Sequence, residues 1–159
     1  MKVRRCDDAE GVIATHGGRF NGWGLYLLGG KPVFHYNLAG VDRSTIAAKE
    51  KLSRGEHVIV VEFVYDGGGI GKGAAVKITV DDKPVAEGRV ERSIAIRIAI
   101  DETLDIGEDT GTPISEDYQV PFKFSGNLKR VLIGLTEAKL TAADEEEIRR
   151  AKAVIGVAQ

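Results

Sequence analysis

The chain has 159 residues, 22 basic against 24 acidic side chains for a formal charge of −2, and 43% hydrophobic residues. This size and balance predict one folded domain with an ordinary core and give no electrostatic case for nucleic acid or an anionic membrane as partner. No apolar run approaches the roughly 20 residues of a spanning helix, and a lone cysteine, Cys6, excludes an internal disulfide framework.

The N-terminus carries no apolar signal core, so a cytoplasmic setting is expected. Glycine is the compositional outlier, 20 residues against 4 prolines, and the glycines fall between apolar runs as turns in an all-β fold require. Residues 1–10 read as a polar segment, at most a partial first strand. Gly11–His16 reads as a short strand stopped by Gly17 and Gly18. Gly24–Leu28 and Val33–Leu38 flank Gly29-Gly30-Lys31-Pro32, a hairpin signal.

His57–Tyr65 is apolar on both faces, which predicts a central strand. A glycine-rich connection through Gly67–Gly73 leads to a second hairpin, Ala75–Val80 and Pro84–Gly88 around Asp81-Asp82-Lys83. Ile94, Ile96, Ile98 and Ile100 alternate with Ser93, Ala95, Arg97 and Ala99, the pattern of a half-buried strand. Val120–Ser125 and Leu128–Leu135 predict two more strands around Gly126-Asn127. Many short strands with near-regular turns predict an all-β, antiparallel two-sheet sandwich or jelly roll over 11–136. Thr141 and Asp144 form a capping-box-like start, and Ile148, Ala151 and Ile155 make a narrow apolar stripe. A C-terminal helix within 137–159 follows, packed on the sandwich or on a partner.

Asp101–Tyr118 holds seven carboxylates and no Lys or Arg, between two apolar runs. A loop of that length is functional or tightly self-packed. Calcium takes several carboxylate oxygens, so Asp101, Asp105, Asp109 and Asp117 are the candidate ligands, although they lack EF-hand spacing. Salt bridges to Arg89, Arg92 or Arg97 account for them equally well. His16, His35 and His57 show no zinc spacing and read as strand or turn residues. Among the early aromatics, Tyr26, Phe34 and Tyr36 sit inside strand patterns and read as core. Phe20 and Trp23, among glycines, are the candidates for stacking on a ligand such as a sugar ring.

Three strings, GVIATHGGRFNGWGLYLLGGKPVFHYNLAG (Gly11–Gly40), VEFVYDGGGIGKGAAVKITVDDKPVAEGRVERS (Val61–Ser93) and DETLDIGEDTGTPISEDYQVPFKFSG (Asp101–Gly126), resemble in order the C-terminal region of bacterial arylsulfatases. The resemblance covers roughly residues 9–135. It implies a concanavalin- or laminin-G-like sandwich that follows an α/β catalytic domain and carries no catalytic residue.

The formylglycine motif of that family, C/S-x-P-x-R, is met only in its loosest form by Ser93-Ile-Ala-Ile-Arg97, with Ala95 where proline is usual. The expectation is therefore a module without catalytic residues and without a cofactor, calcium apart. It would serve association with itself or with a sulfatase catalytic domain, and would be exported if it is a piece of a secreted sulfatase. A lectin-like carbohydrate binder is the alternative, and part of a sulfuric ester hydrolase the second alternative. The resemblance starts after the family's usual first strand, which predicts an open edge and a homo-oligomer joined there or through the terminal helix.

Overall fold

Two turns with left-handed backbone set the geometry of the computed structural model, which describes residues 2–5, 9–95, 102–136, 141–146 and 149–150. Gly29 and Gly30, at φ 54° and 77°, reverse the chain between β3 (Asn21–Leu28) and β4 (Lys31–Leu38). Asp81 and Asp82, at φ 50° and 63°, do the same between β7 (Ala74–Val80) and β8 (Lys83–Val90). Positive φ at both turn positions matches the twist of the flanking strands. Glycine takes that conformation without cost; Asp81 is held in it by bonds described below.

The remaining strands are β1 (Lys2–Arg5), β2 (Gly11–Gly17), β5 (Asp42–Ala47), β6 (Gly55–Tyr65), β9 (Leu104–Ile106), β10 (Glu108–Asp109), β11 (Phe122–Lys123) and β12 (Asn127–Arg130). They form two sheets. One is ordered β12-β1-β6-β7-β8; the other is ordered β10-β11-β2-β3-β4-β5, with β9 beside β2. All pairs are antiparallel except β11 with β2, which meet in parallel at Lys123 and Val12. The chain is a β-sandwich with helical residues at 142–146 and 149–150.

The main core lies between the sheets and follows the two-residue period of the strands. Leu25, Leu27, Phe34, Tyr36 and Ile46 from one sheet meet Ile59, Val76, Ile78, Val80 and Val90 from the other. A second, smaller core sits on the opposite face of β2–β4. There Val12, Tyr26 and Val33 are covered by Ile114 and Tyr118 from the acidic stretch.

Several expectations need correction. Lys2–Arg5, read as at most a partial first strand, is a short strand with a partner on both sides, β6 on one and β12 on the other. β6 is central, but Val60 and Val64 on its outer face are exposed. Residues 91–95 are bends and irregular backbone rather than a strand, with the Ile94 N–H donating to the Tyr36 hydroxyl; 96–100, most of the expected strand, lie outside the described residues. β11 and β12 do not form a hairpin. Each pairs in a different sheet, so Gly126 marks the crossover between layers, and 131–136 have no regular structure.

At the C-terminus, the Thr141 N–H donates to Asp144 Oδ2 (2.7 Å) and the Asp144 N–H to Thr141 Oγ1 (3.3 Å). This is the reciprocal capping anticipated from sequence. The expected stripe at Ile148, Ala151 and Ile155 lies outside the described residues. Among the described residues no helix is long and apolar enough to cross a membrane.

The second core makes a measurable claim. Ile114 is 1% exposed and rests over Gly22 and Gly24, where an added Cβ would lie 2.9 and 2.7 Å from its side chain. Ile114→Ala leaves that slot empty and is expected to cost about 3 kcal/mol in denaturant unfolding. A loss below about 1 kcal/mol, within the range of ordinary surface substitutions, would remove Ile114 from the account.

Candidate functional site

The acidic stretch is a strap over the outer face of the larger sheet. Five of its carboxylates, Glu102, Asp105, Asp109, Glu116 and Asp117, are taken up by donors of the strap and of the sheet beneath. The Tyr26 hydroxyl donates to Asp117 Oδ2 (2.6 Å) and the Tyr118 hydroxyl to Asp109 Oδ2 (2.5 Å). The two tyrosine rings meet edge to face at 5.2 Å. Glu102 accepts from the Thr112 hydroxyl (2.5 Å) and amide (3.1 Å), and Asp105 accepts from both donors of Thr110 at 3.2 Å. Glu116 pairs with Arg43 at 2.5 Å, which holds its carboxyl below the usual range.

The expected partners are therefore corrected. Arg89 pairs with Asp66 and Arg92 with Asp42, while Arg97 lies outside the described residues. Of the four candidate calcium ligands, Asp101 lies outside the described residues, and Asp105, Asp109 and Asp117 each face a different hydrogen-bond donor. Among the described residues no three His, Cys, Asp or Glu side chains are grouped to hold a metal ion.

Burial pushes the Asp109 carboxyl up, against the pull of the Tyr118 hydroxyl. Burial also drives the Tyr26 and Tyr118 hydroxyls far upward, and the aspartates accepting from them push the same way. Both tyrosines thus stay donors. On the same face His35 is 4% exposed, with Nδ1 at 2.8 Å from Thr45 Oγ1. Its Nε2 has no hydrogen-bond partner among the described residues, and burial lowers its proton affinity.

The two candidate stacking rings have different surroundings. Phe20 is 65% exposed in the turn before β3. Trp23 is half-buried against the main core, stacked on Phe34 at 6.4 Å and edge-on to His16 at 6.5 Å.

The structure also assembles a group that spacing did not reveal. His57 at the start of β6 is 8% exposed. Its Nδ1 is 2.7 Å from Asp81 Oδ2, and its Nε2 is 3.3 Å from Ser53 Oγ. The trio has the composition of a serine-hydrolase triad but not its chemistry. A general base needs an unprotonated Nε2 facing the hydroxyl. Here Nε2 lies closer to the Ser53 carbonyl oxygen, at 2.8 Å, which only an N–H can satisfy. Both ring nitrogens thus face oxygen acceptors, the arrangement of a clamp rather than of a base. Asp81 Oδ1 also accepts from the Val58 N–H at 2.9 Å, and this bond, followed by His57, holds its carboxyl below the usual range. These bonds keep Asp81 in its left-handed turn.

No protein-family model matches this chain, and no curated protein matches it.

Two outcomes follow from these bonds. A carboxyl raised by folding lends stability below its unfolded value, near pH 4, and loses it as pH rises through the folded value. Asp109→Asn keeps an acceptor for Tyr118 without a charge, so the stability of the native chain relative to this variant is expected to fall as pH rises above about 4. Parallel stability curves for the two chains would remove Asp109 from that role. Separately, Asp81→Ala deletes the half-exposed acceptor of two bonds and is expected to cost about 1–2 kcal/mol, read as a lower urea midpoint at unchanged slope. An unmoved midpoint would show that the clamp contributes nothing.

Proposed function

We propose that this chain is a non-catalytic association module that joins a second copy of itself along the open side of its sandwich. One observation carries the reading. β9 and β12, one from each sheet, border an apolar groove of about 490 Å³ lined by Leu104, Ile106, Leu128, Val131 and Ile133. Leu104 and Ile106 are about half exposed, and beyond them Leu132 is 69% and Leu135 91% exposed. Contiguous exposed hydrocarbon of this kind marks interaction surfaces. Among the described residues β9 pairs only with β2 and β12 only with β1, so each presents one unpaired backbone edge.

The charge pattern favours a second copy as the occupant. The β9 lip carries Asp105, which accepts from Thr110, and, just beyond, Glu108; the β12 lip carries Arg130 and Lys129, the latter paired with Glu56 of its own chain. A twofold axis along the groove sets the acidic lip of one copy against the basic lip of the other. The resemblance to the sandwich that accompanies arylsulfatase catalytic domains supports a module that works by packing rather than by chemistry.

In size-exclusion chromatography with light scattering at micromolar concentration, the expected mass is twice the 17.1 kDa of one chain. Leu132→Asp with Ile133→Asp is expected to return it to one chain without loss of the β spectrum. A native monomer, or a dimer indifferent to both substitutions, would overturn the proposal.

A further inference from the structure

The same tripeptide, Lys-Pro-Val, opens β4 (31–33) and β8 (83–85), one strand in each sheet, and the two openings border a cleft of about 510 Å³. The segment 48–53, which carries the chain from one sheet to the other, forms its wall. That wall is fixed from both sides. The Ala48 N–H donates to Pro32 O and the Leu52 N–H to Gly30 O, both at 2.9 Å. On the far side His57 joins the Ser53 carbonyl to Asp81 at 2.8 and 2.7 Å. A cleft held this way is pre-formed, and its volume falls within the range of small-molecule sites.

We infer that this cleft binds a small amphipathic anion, a carboxylate on a short hydrocarbon body. Its floor is apolar: Ala48, Leu52 and Val80 are buried in the sandwich, and Pro32, Pro84 and Val85 complete the lining. The prolines on both lips have no N–H, so the backbone there offers a ligand no donor at 32 or 84. Charged side chains stand where a polar head would sit. Lys49, Lys51 and Lys83 line the cleft, against Glu50 and Asp81. Asp81 is already engaged by His57 and the Val58 N–H, which leaves Lys49 and Lys83, with Glu50 beside them, as the charges of the rim over a hydrocarbon floor. A head group between Lys49 and Lys83, with its body on Leu52 and Val85, uses both halves; a bare anion or a neutral alkyl chain uses one.

The test is an amide-resonance titration of the whole chain with sodium octanoate, sodium acetate and octanol. Octanoate is expected to shift Leu52, Ser53, Val80 and Val85 saturably, and acetate and octanol to bind at least about tenfold more weakly. Lys49→Glu with Lys83→Glu is expected to weaken octanoate about tenfold and leave octanol unchanged, with unaltered spectral dispersion reporting the fold. The inference is overturned by shifts that do not saturate or that map elsewhere, by equal binding of octanol and octanoate, or by indifference to the charge reversal.

Discussion

A strip of β3 without side chains is the constraint on which the larger sheet depends. Gly22 and Gly24 face away from the main core, and between the flanking apolar residues Val12, Tyr26 and Val33 they leave a slot that water would otherwise meet. A sheet can leave one face wet only if that face is polar. This one is not, so a second layer must cover it, and Ile114 enters the slot to a depth that no residue larger than glycine would permit. The acidic composition of the strap follows from the same requirement. A covering segment has its own solvent side, and it must supply acceptors for the hydroxyls it buries, which Asp109 and Asp117 do for Tyr118 and Tyr26.

Some of this was legible in the sequence and some was not, for identifiable reasons. The β3–β4 and β7–β8 hairpins were readable because turn chemistry is local: Gly-Gly and Asp-Asp between β-rich runs leave few other solutions. The capping of Thr141 by Asp144 was readable on the same ground. β1 was legible only as a partial strand because Lys2–Arg5 has no amphipathic pattern; its place is decided by β6 and β12, distant in sequence. The run 120–135 looked like a hairpin because apolar periodicity does not record which sheet a strand joins. Likewise the alternation at 94–95 yielded to the Tyr36 hydroxyl, which claims the Ile94 amide from across the sandwich.

The candidate sites divide in the same way. The aspartates of the strap were visible as a cluster, but their partners, Tyr26 and Tyr118 above all, are fixed by a face of the sheet that composition does not reveal. Ser53, His57 and Asp81 could not be assembled from spacing, since a register between β6 and the β7–β8 turn brings them together. Their case also shows why composition is a poor guide to chemistry. The position of one carbonyl oxygen, that of Ser53, decides whether the imidazole accepts a proton or gives two bonds away.

The two lateral sides of the sandwich are built differently, and the difference bears on its use. Where β5 faces β8, the side is shut: Gly88 admits Ile46 so closely that an added Cβ would stand 2.6 Å from it, and Arg92 reaches Asp42 at 3.1 Å. Those edge strands also carry Arg43, Lys83, Pro84, Glu87 and Arg89, the charges and proline by which an outer strand repels pairing. The side bordered by β9 and β12 has no such closure among the described residues. Leu104 and Ile106 stand at its rim, where a charged strand would have served solubility better. A sandwich that seals one side with a glycine–isoleucine contact and leaves hydrocarbon on the other has two unlike edges. Burying the apolar one removes hydrocarbon from water, which burying the charged one does not.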